Sequence, residues 1–336
     1  MKPRYTVLIG VGIGLLMLVL VLSGQDLDRV GAALAEADYR YVIPTFALIV
    51  VGHVTRAFRW RSLLAGRLPL GHAFHMMNIG YLFNGALPFR LGEVARIFLA
   101  TRAEPPVPAF TTLSTILVER LLDLLTVLGM LGVVLIVLPV PSFIATAGLT
   151  LGIGSLAGLI VLVVLAQRHE WAHRLLQWVE RALPWLGRWS LDAALDRFVD
   201  GLQPLAVWRG LAAALFWSVI SWGFSVAGGY ILLYAFYPTA LWTTVLLFIA
   251  MAAFAVSVPY VPGAVGPYEA GVVVALSLTG YGEPEGAAVA FAIILHAVNL
   301  SVYLVLGMLG LVQEGVTLGQ VARGARDMNP SPSVVE

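Results

Sequence analysis

Long apolar runs follow one another through this chain, and they limit what it can fold into. A helix that spans a bilayer needs roughly 20 mostly apolar residues. The candidate runs are Tyr5–Leu22, Tyr41–Arg56, Val107–Leu138, Phe143–Ala166, Leu205–Phe236, Leu241–Val258 and Gly286–Leu311. The chain is 60% hydrophobic and 12% charged, whereas soluble domains are about 45–50% apolar and about 25% charged. We therefore predict an all-α polytopic membrane protein.

Two further apolar runs, His72–Ala100 and Tyr260–Leu278, are interrupted by glycine and proline. The first contains NGALPFRLGEVARIF and the second contains PGAVGPYEAG. Proline lacks a backbone N–H and glycine permits positive φ, so we expect helices to restart after Pro88 and after Pro267. Such segments either span the membrane as broken helices or re-enter it. Their likeness indicates a diverged inverted repeat or arises by chance.

Lysine and arginine predict the orientation of the chain, because they concentrate on the cytoplasmic side. Lys2 and Arg4 precede the first run, and the loop 25–40 that follows is mainly acidic. Arginines cluster after the second run, at Arg56, Arg59, Arg61 and Arg67. We expect a cytoplasmic N-terminus, a cytoplasmic C-terminus and location in the cell membrane. No clean cleavage site follows the first run, so we interpret it as a retained span and not as a signal peptide.

One long polar insert, residues 167–203, interrupts the apolar pattern. Trp171, Leu175 and Trp178 recur in it at helical spacing between arginines, which predicts an amphipathic helix on the cytoplasmic membrane surface. It is either a plain connector or a lipid-sensing element. We expect residues 1–320 to form a single integral membrane domain and the polar tail 321–336 to be disordered.

The first interrupted segment carries charge as well as helix breakers. A helix that restarts within the membrane leaves N–H groups unpaired and presents the positive end of its dipole. Arg90 and Arg96 would make that helix start attractive to a phosphate group. In the alternative interpretation, Glu93 pairs with both arginines as a neutralised structural cluster.

The helix that begins near Pro108 carries Glu119, Arg120 and Asp123. At 1.5 Å per residue, Glu119 lies about 16 Å along this helix, near the middle of the bilayer. These groups must face the protein interior, either as an ion-pair staple or as a polar pocket that holds a lipid headgroup or carries protons. We expect Arg120 to pair with Asp123, and Glu119 to be unpaired and therefore protonated at neutral pH.

Several function classes are excluded or disfavoured. The formal net charge is +1, so no nucleic-acid partner is indicated, and the absence of cysteine excludes disulfide and thiol chemistry. HEWAH, at 169–173, formally matches a zinc-protease motif but shows no third ligand. We expect no metal site and no cofactor, and we do not expect an enzyme.

The motifs together resemble a known family. RAFRWRSLL, NGALPFRLGEVARIF, ERLLDLL and PGAVGPYEAG are similar to the flippase-like membrane domain of lysylphosphatidylglycerol synthases, over about residues 5–315. This domain also occurs alone in bacterial and archaeal membrane proteins. The resemblance implies about eight membrane passes, including the two interrupted segments. It also implies movement of a polar-headed lipid between leaflets.

The resemblance also implies site residues. The expected substrate-binding residues are Arg90, Glu93, Arg96, Glu119, Arg120, Asp123 and Glu269, and the expected supporting residues are Arg56, Arg59, Asn84, Pro88, Gly92, Gly263, Gly266 and Pro267. The synthases carry a soluble aminoacyl-transferase domain after the membrane part, which is not seen before the chain ends at Glu336. Aminoacylation of lipid is therefore not expected.

The sequence thus favours a lipid translocase whose partners are membrane lipids, anionic or phosphate-headed, held in a charged cavity within the membrane. Two alternatives stay open. One is an integral-membrane transferase that acts on a lipid carrier, with Glu93 or Asp123 as general base. The other is a non-catalytic partner subunit whose interrupted segments only pack against another protein.

Overall fold

The computed structural model describes residues 26–87, 90–138, 141–183, 191–256, 261–282 and 286–328, together with residues 12, 15–19, 21 and 23. The helices are α1 Leu27–Glu36, α2 Val42–Leu63, α3 Leu70–Ala86, α4 Leu91–Thr101, α5 Ala109–Val137, α6 Ser142–Gln167, α7 His169–Ala182, α8 Asp192–Ala206, α9 Trp208–Leu233, α10 Trp242–Val256, α11 Pro267–Leu278, α12 Ala287–Gln313 and α13 Leu318–Asp327. No strand occurs within these ranges. The prediction of an all-α membrane protein is confirmed.

Within the described ranges, five helices are long and apolar enough to cross a membrane: α2 with the short turn before it, α5, α6, α9 and α12. In α2, α5, α6 and α9, one third or less of the apolar stretch is buried inside the protein, whereas in α12 half of it is buried. Ile136 on α5 is 87% exposed and Ile153 on α6 is 70% exposed, as expected where lipid is the solvent. The run Leu241–Val258 forms only the 15-residue α10, and the run Tyr5–Leu22 lies largely outside the described residues.

The first interrupted segment is a helical hairpin made of α3 and α4. The helix ends at Ala86 and restarts at Leu91, as predicted, although Pro88 itself lies outside the described residues. The Gly92 N–H donates to Asn84 Oδ1 at 2.8 Å, so an amide oxygen satisfies one of the free donors at the start of α4. Gly92 also lies so close to Gly80 that a Cβ would overlap the Gly80 carbonyl. The two helices therefore run antiparallel with touching backbones.

A second hairpin consists of α10 and α11, of which the predicted interrupted segment Tyr260–Leu278 supplies α11. Gly263 and Gly266 take positive φ values of 59° and 93°, which turn the chain, and α11 starts at Pro267 as predicted. On the paired helices, a Cβ at Gly271 would lie 3.0 Å from the Met251 carbonyl oxygen. Both hairpins, α3–α4 and α10–α11, are therefore pairs of short helices.

The two hairpins enter the bundle from opposite ends. Helices α2 and α9 are antiparallel, because Thr45 bonds to Gly228 while Arg59 bonds to Ser218. The α3–α4 hairpin follows the C-terminal end of α2, and the α10–α11 hairpin follows the C-terminal end of α9. Their tips meet, since a Cβ at Gly263 would lie 3.0 Å from the Gly85 carbonyl oxygen.

The polar insert was predicted to be one helix on the membrane surface, but its described part forms two helices, α7 and α8. Of these two helices, α7 is the one that resembles a surface helix, with Trp171 and Trp178 exposed. Helix α8 instead packs into the bundle, burying Leu202 and Leu205, and its Arg197 carbonyl accepts a hydrogen bond from Thr111 of α5 at 2.9 Å. Aliphatic residues on one face of α8 explain its burial. Residues 184–190 lie outside the described residues.

The tail was expected to be disordered from Val321, and this is wrong up to Asp327. Residues Leu318–Asp327 form α13, which starts with a capping box between Thr317 and Gln320. Val321 is buried, and Gly324 lies against the Phe98 ring of α4. The cap and the small residues at 322, 324 and 325 allow close packing of a stretch that is polar overall. Residues 329–336 lie outside the described residues.

Candidate functional site

A cavity of about 350 Å³ lies inside the bundle, next to the hairpin tips. Its charged lining consists of Arg56, Arg90, Arg120 and Asp123. The uncharged polar lining consists of Tyr81, Trp222, Ser225, Tyr268, Asn299 and Tyr303. The remaining wall is mainly aliphatic, from α2, α5, α10 and α12. Ionisable groups are costly at membrane depth, so their concentration around one cavity marks it as the candidate site.

Asp123 is paired most closely with Arg59, and the predicted ion pair with Arg120 is also present, at a longer distance. Arg59 Nη1 donates to Asp123 Oδ1 at 2.6 Å, and Trp222 Nε1 donates to the same oxygen at 3.0 Å. Arg120 lies 3.9 Å from Asp123 and 3.8 Å from Glu93, at the limit of an ion pair. Asp123 is therefore already neutralised and hydrogen-bonded within the protein.

Arg59 is buried and does not reach the membrane surface, since its side chain is 1% exposed. Helix α2 does not end at Arg56 but continues to Leu63. This extra length places Arg59 on the face that packs against α5 and α9. Ser218 of α9 accepts a second hydrogen bond from the guanidinium at 3.0 Å.

Glu119 was expected to be unpaired, and it has two arginine partners. Arg96 Nη2 donates to Glu119 Oε2 at 2.7 Å, and Arg59 Nη2 lies 3.7 Å from Oε1. The Arg96 guanidinium also lies 4.1 Å from the centre of the Trp60 ring. The structure therefore gives no reason for protonation of Glu119, and we withdraw that expectation. Glu119 and Arg96 form a buried ion pair that links α5 to α4.

Arg56 and Arg90 differ from these paired arginines. Within the described part of the chain, neither forms an ion pair. Arg56 donates to Ser225 Oγ at 3.3 Å and lies 5.4 Å from the Trp222 ring centre. Arg90 takes a left-handed conformation, with φ 51°, and donates to the Val256 carbonyl at 3.4 Å. Both side chains face the cavity, so both can bind an anion there.

Glu93 forms neither of the ion pairs proposed in the alternative interpretation. Its nearest cation is Arg120, at 3.8 Å. Glu93 Oε2 and Arg120 Nε are both buried without a hydrogen-bond partner in the described residues. The cluster thus contains Arg56, Arg59, Arg90, Arg96 and Arg120 against Glu93, Glu119 and Asp123. Five arginines thus face three carboxylates, which gives the cluster an excess of positive charge.

Glu269 is not brought into this arginine cluster. Its Oε2 accepts the Gly266 N–H at 2.7 Å, and its Oε1 lies 2.6 Å from His296 Nδ1. His296 lines a second cavity of about 90 Å³, between the hairpin tips and α12. The two cavities share Arg90 and Arg120 in their walls. Sequence reasoning missed His296 as a site residue, because nothing in its neighbours along the chain points to Glu269.

The histidines at 169 and 173 have a structural role. His173 lies 3.0 Å from Asp196 and 3.6 Å from Asp192, which joins α7 to the start of α8. Among the described residues, no group of three or more potential ligands could hold a metal ion.

The chain is similar to known proteins over most of its length. The family described as the lysylphosphatidylglycerol synthase TM region matches residues 7–307. A curated relative from Haloferax volcanii, the glycosyltransferase AglD, is 27% identical over 341 aligned residues, covering 87% of this chain and 52% of the relative. The chain therefore spans about half the length of this relative. No solved structure matches.

Proposed function

This chain belongs to the family of the lysylphosphatidylglycerol synthase TM region, and we propose that it moves a phosphate-headed lipid between the two leaflets of a membrane. The observation that supports this proposal most is the pair of arginines, Arg56 and Arg90, that face the larger cavity without a carboxylate partner in the described residues. An uncompensated cation at membrane depth is costly. A bound anion would offset that cost, and a phosphate offers several acceptors to guanidinium groups.

The carboxylates indicate which headgroups fit. An amine headgroup needs a free carboxylate, but Asp123 and Glu119 are held by Arg59 and Arg96, and Glu269 is held by His296. Glu93 remains, beside Arg120. We therefore infer that the lipid carries a phosphate and an uncharged, hydroxyl-bearing remainder, which the rings of Tyr81 and Trp222 can contact.

The hairpins suggest how the headgroup moves. Their tips meet beside the cavity, so the irregular backbone at residues 261–266 and the start of α4 separate the two ends of the bundle there. Non-helical backbone is tolerated at membrane depth where it lines a cavity. Displacement of one tip would open the cavity to one side while the other tip keeps it closed.

The test is lipid movement in reconstituted phosphatidylcholine vesicles that contain a trace of fluorescent phosphatidylglycerol. We expect wild-type protein to speed exchange of this probe between leaflets, and Arg90→Ala to slow it by roughly 10- to 100-fold. This estimate follows because a hydrogen bond to a charged group contributes about 1.5–3 kcal/mol.

The matched control is Arg61→Ala. Arg61 is on α2, like Arg56, but its side chain is exposed, so exchange should continue at the wild-type rate. Equal rates for Arg90→Ala and Arg61→Ala would contradict the arginine site. A wild-type protein that moves no probe would contradict lipid translocation itself.

A lipid-linked transferase is the second candidate, and the name of the relative from Haloferax volcanii supports it. Arg56 and Arg90 could equally hold the phosphate of a lipid carrier during group transfer. Mass spectrometry of lipids incubated with purified protein distinguishes the two functions. A change in lipid mass favours transfer, whereas leaflet exchange without a change in mass favours translocation.

A further inference from the structure

Glu269 and His296 form a buried pair outside the arginine cluster, at the tip of the second hairpin. Glu269 is 5% exposed and His296 is 4% exposed. Glu269 lies on α11 and His296 lies on α12, and the His296 Nδ1 is 2.6 Å from the carboxylate. The ring of Tyr268 stacks on the imidazole with centroids 4.2 Å apart. The carboxylate and the stacked ring hold the imidazole in one orientation.

This contact determines which histidine nitrogen can accept a proton. An ionised carboxylate only accepts hydrogen bonds, so Nδ1 carries the proton of the neutral ring. Nε2 is then a base with a free lone pair. It has no hydrogen-bond partner among the described residues, and the ring lines the smaller cavity. A proton that reaches the cavity from water can therefore bind Nε2, and the imidazolium formed is stabilised by Glu269.

Two arginines that line both cavities can link proton binding at His296 to binding of the lipid headgroup. Arg90 from the first hairpin and Arg120 from α5 line the smaller cavity as well as the larger one. The remaining ionisable groups in its wall are the phenols of Tyr81, Tyr268 and Tyr303. Both arginines are charged, so they repel a positive charge on His296 even though Glu269 stabilises it, and an anion bound at the arginines would reduce this repulsion. A phosphate bound at the arginines supplies that anion.

We propose that His296, held by Glu269, binds one proton together with each anionic headgroup, so that lipid and proton cross the membrane together. The inference rests on the proposed function and adds its coupling ion. Binding of the two ligands is reciprocal: whatever the headgroup contributes to proton binding, the proton contributes to headgroup binding. The proton binds at Nε2 on one side and leaves from Nε2 on the other, so no other reactant is needed.

The first experiment measures transport of fluorescent phosphatidylglycerol in phosphatidylcholine vesicles, with and without a pH difference. With the donor leaflet facing the more acidic side, we expect accumulation of the probe in the opposite leaflet. One proton per lipid corresponds to about tenfold accumulation for each pH unit. His296→Gln can still donate to Glu269 but cannot take up a proton, so its accumulation ratio should be close to one. Thermal unfolding verifies that this variant is folded.

His53→Gln is the matched control. His53 is also a buried histidine with a side-chain hydrogen bond, 2.6 Å from Asn78, but it lines neither cavity. It should keep the wild-type accumulation ratio. Exchange that is catalysed but does not respond to the pH difference would overturn the proton coupling and leave lipid translocation standing. A wild-type response in His296→Gln would overturn the role of the pair.

The second experiment does not need transport. Binding of soluble short-chain phosphatidylglycerol to the detergent-solubilised protein is measured as a function of pH. We expect affinity to rise as pH falls, by at most about tenfold per unit for one linked proton, and to be independent of pH in His296→Gln. Wild-type affinity that does not change with pH would overturn the inference even if the protein moves no lipid.

Discussion

The guanidinium of Arg59 lies between two carboxylates, 2.6 Å from Asp123 and 3.7 Å from Glu119. Its replacement by alanine leaves Asp123 in the interior with only Arg120, at 3.9 Å, as a nearby cation. Removal of one partner of a buried ion pair costs about 3–5 kcal/mol. We therefore expect Arg59→Ala to lower the unfolding temperature of the detergent-solubilised protein strongly.

Arg61→Ala provides the comparison. Arg61 lies two residues further along α2 and is exposed, so this variant should unfold at the same temperature as the wild type. If Arg59→Ala and Arg61→Ala are equally stable, then Asp123 is in contact with water and the cluster is open. Arg120→Ala should lower the stability less than Arg59→Ala, because the two ion-pair distances of Arg120 are longer.

The residue types of the charged cluster could be predicted from the sequence, but their pairing could not. Charges within apolar runs must face the interior, which correctly places Glu119 and Asp123 inside. The partner of Asp123 is 64 positions away along the chain. Helical spacing determines which face Asp123 is on, but it carries no information about which helix packs against that face.

At the scale of elements, the first hairpin depends on contact between the backbones of α3 and α4. A Cβ at Gly92 would overlap the Gly80 carbonyl and would lie 2.6 Å from Asn84 Oδ1. Gly92→Ala should therefore separate the two helices and displace Arg90, with a loss of both stability and phosphatidylglycerol exchange.

The control for this change is Gly71→Ala, on the other helix of the same hairpin, α3, where an added Cβ meets nothing within 4 Å. Alanine is the better helix former, so this variant should be as stable as the wild type or slightly more stable. Normal stability of Gly92→Ala would show that the hairpin is loosely packed.

The breaks in both hairpins were predictable because glycine and proline act locally through φ and the missing N–H. The meeting of the two tips was not predictable, because it depends on the antiparallel packing of α2 and α9. The burial of α8 was missed for a related reason. Its apolar face is as compatible with a membrane surface as with a protein interior, and only the neighbouring helices decide between them.

At the scale of the whole molecule, the orientation of the protein in the membrane is the prediction to test. A cytoplasmic C-terminus is predicted by the arginine cluster at the C-terminal end of α2 and by Arg323 and Arg326. The chain has no native cysteine, so a single engineered thiol reports its own side of the membrane. In intact cells, an impermeant reagent should leave Ser331→Cys unlabelled and should label Glu36→Cys, in the loop predicted to lie outside. Labelling of both variants would contradict the predicted orientation.

The meeting of the two hairpin tips also has an electrical consequence. In the proposed mechanism water reaches the tips from both ends of the bundle, so most of a membrane voltage would fall across the short stretch of protein between them. A single charge that crosses the whole voltage gains or loses about 2.3 kcal/mol per 100 mV. An anionic headgroup that travels with a proton carries no net charge, so its movement should not respond to an imposed potassium diffusion potential. His296→Gln would carry the anion alone, and its lipid movement should become dependent on voltage.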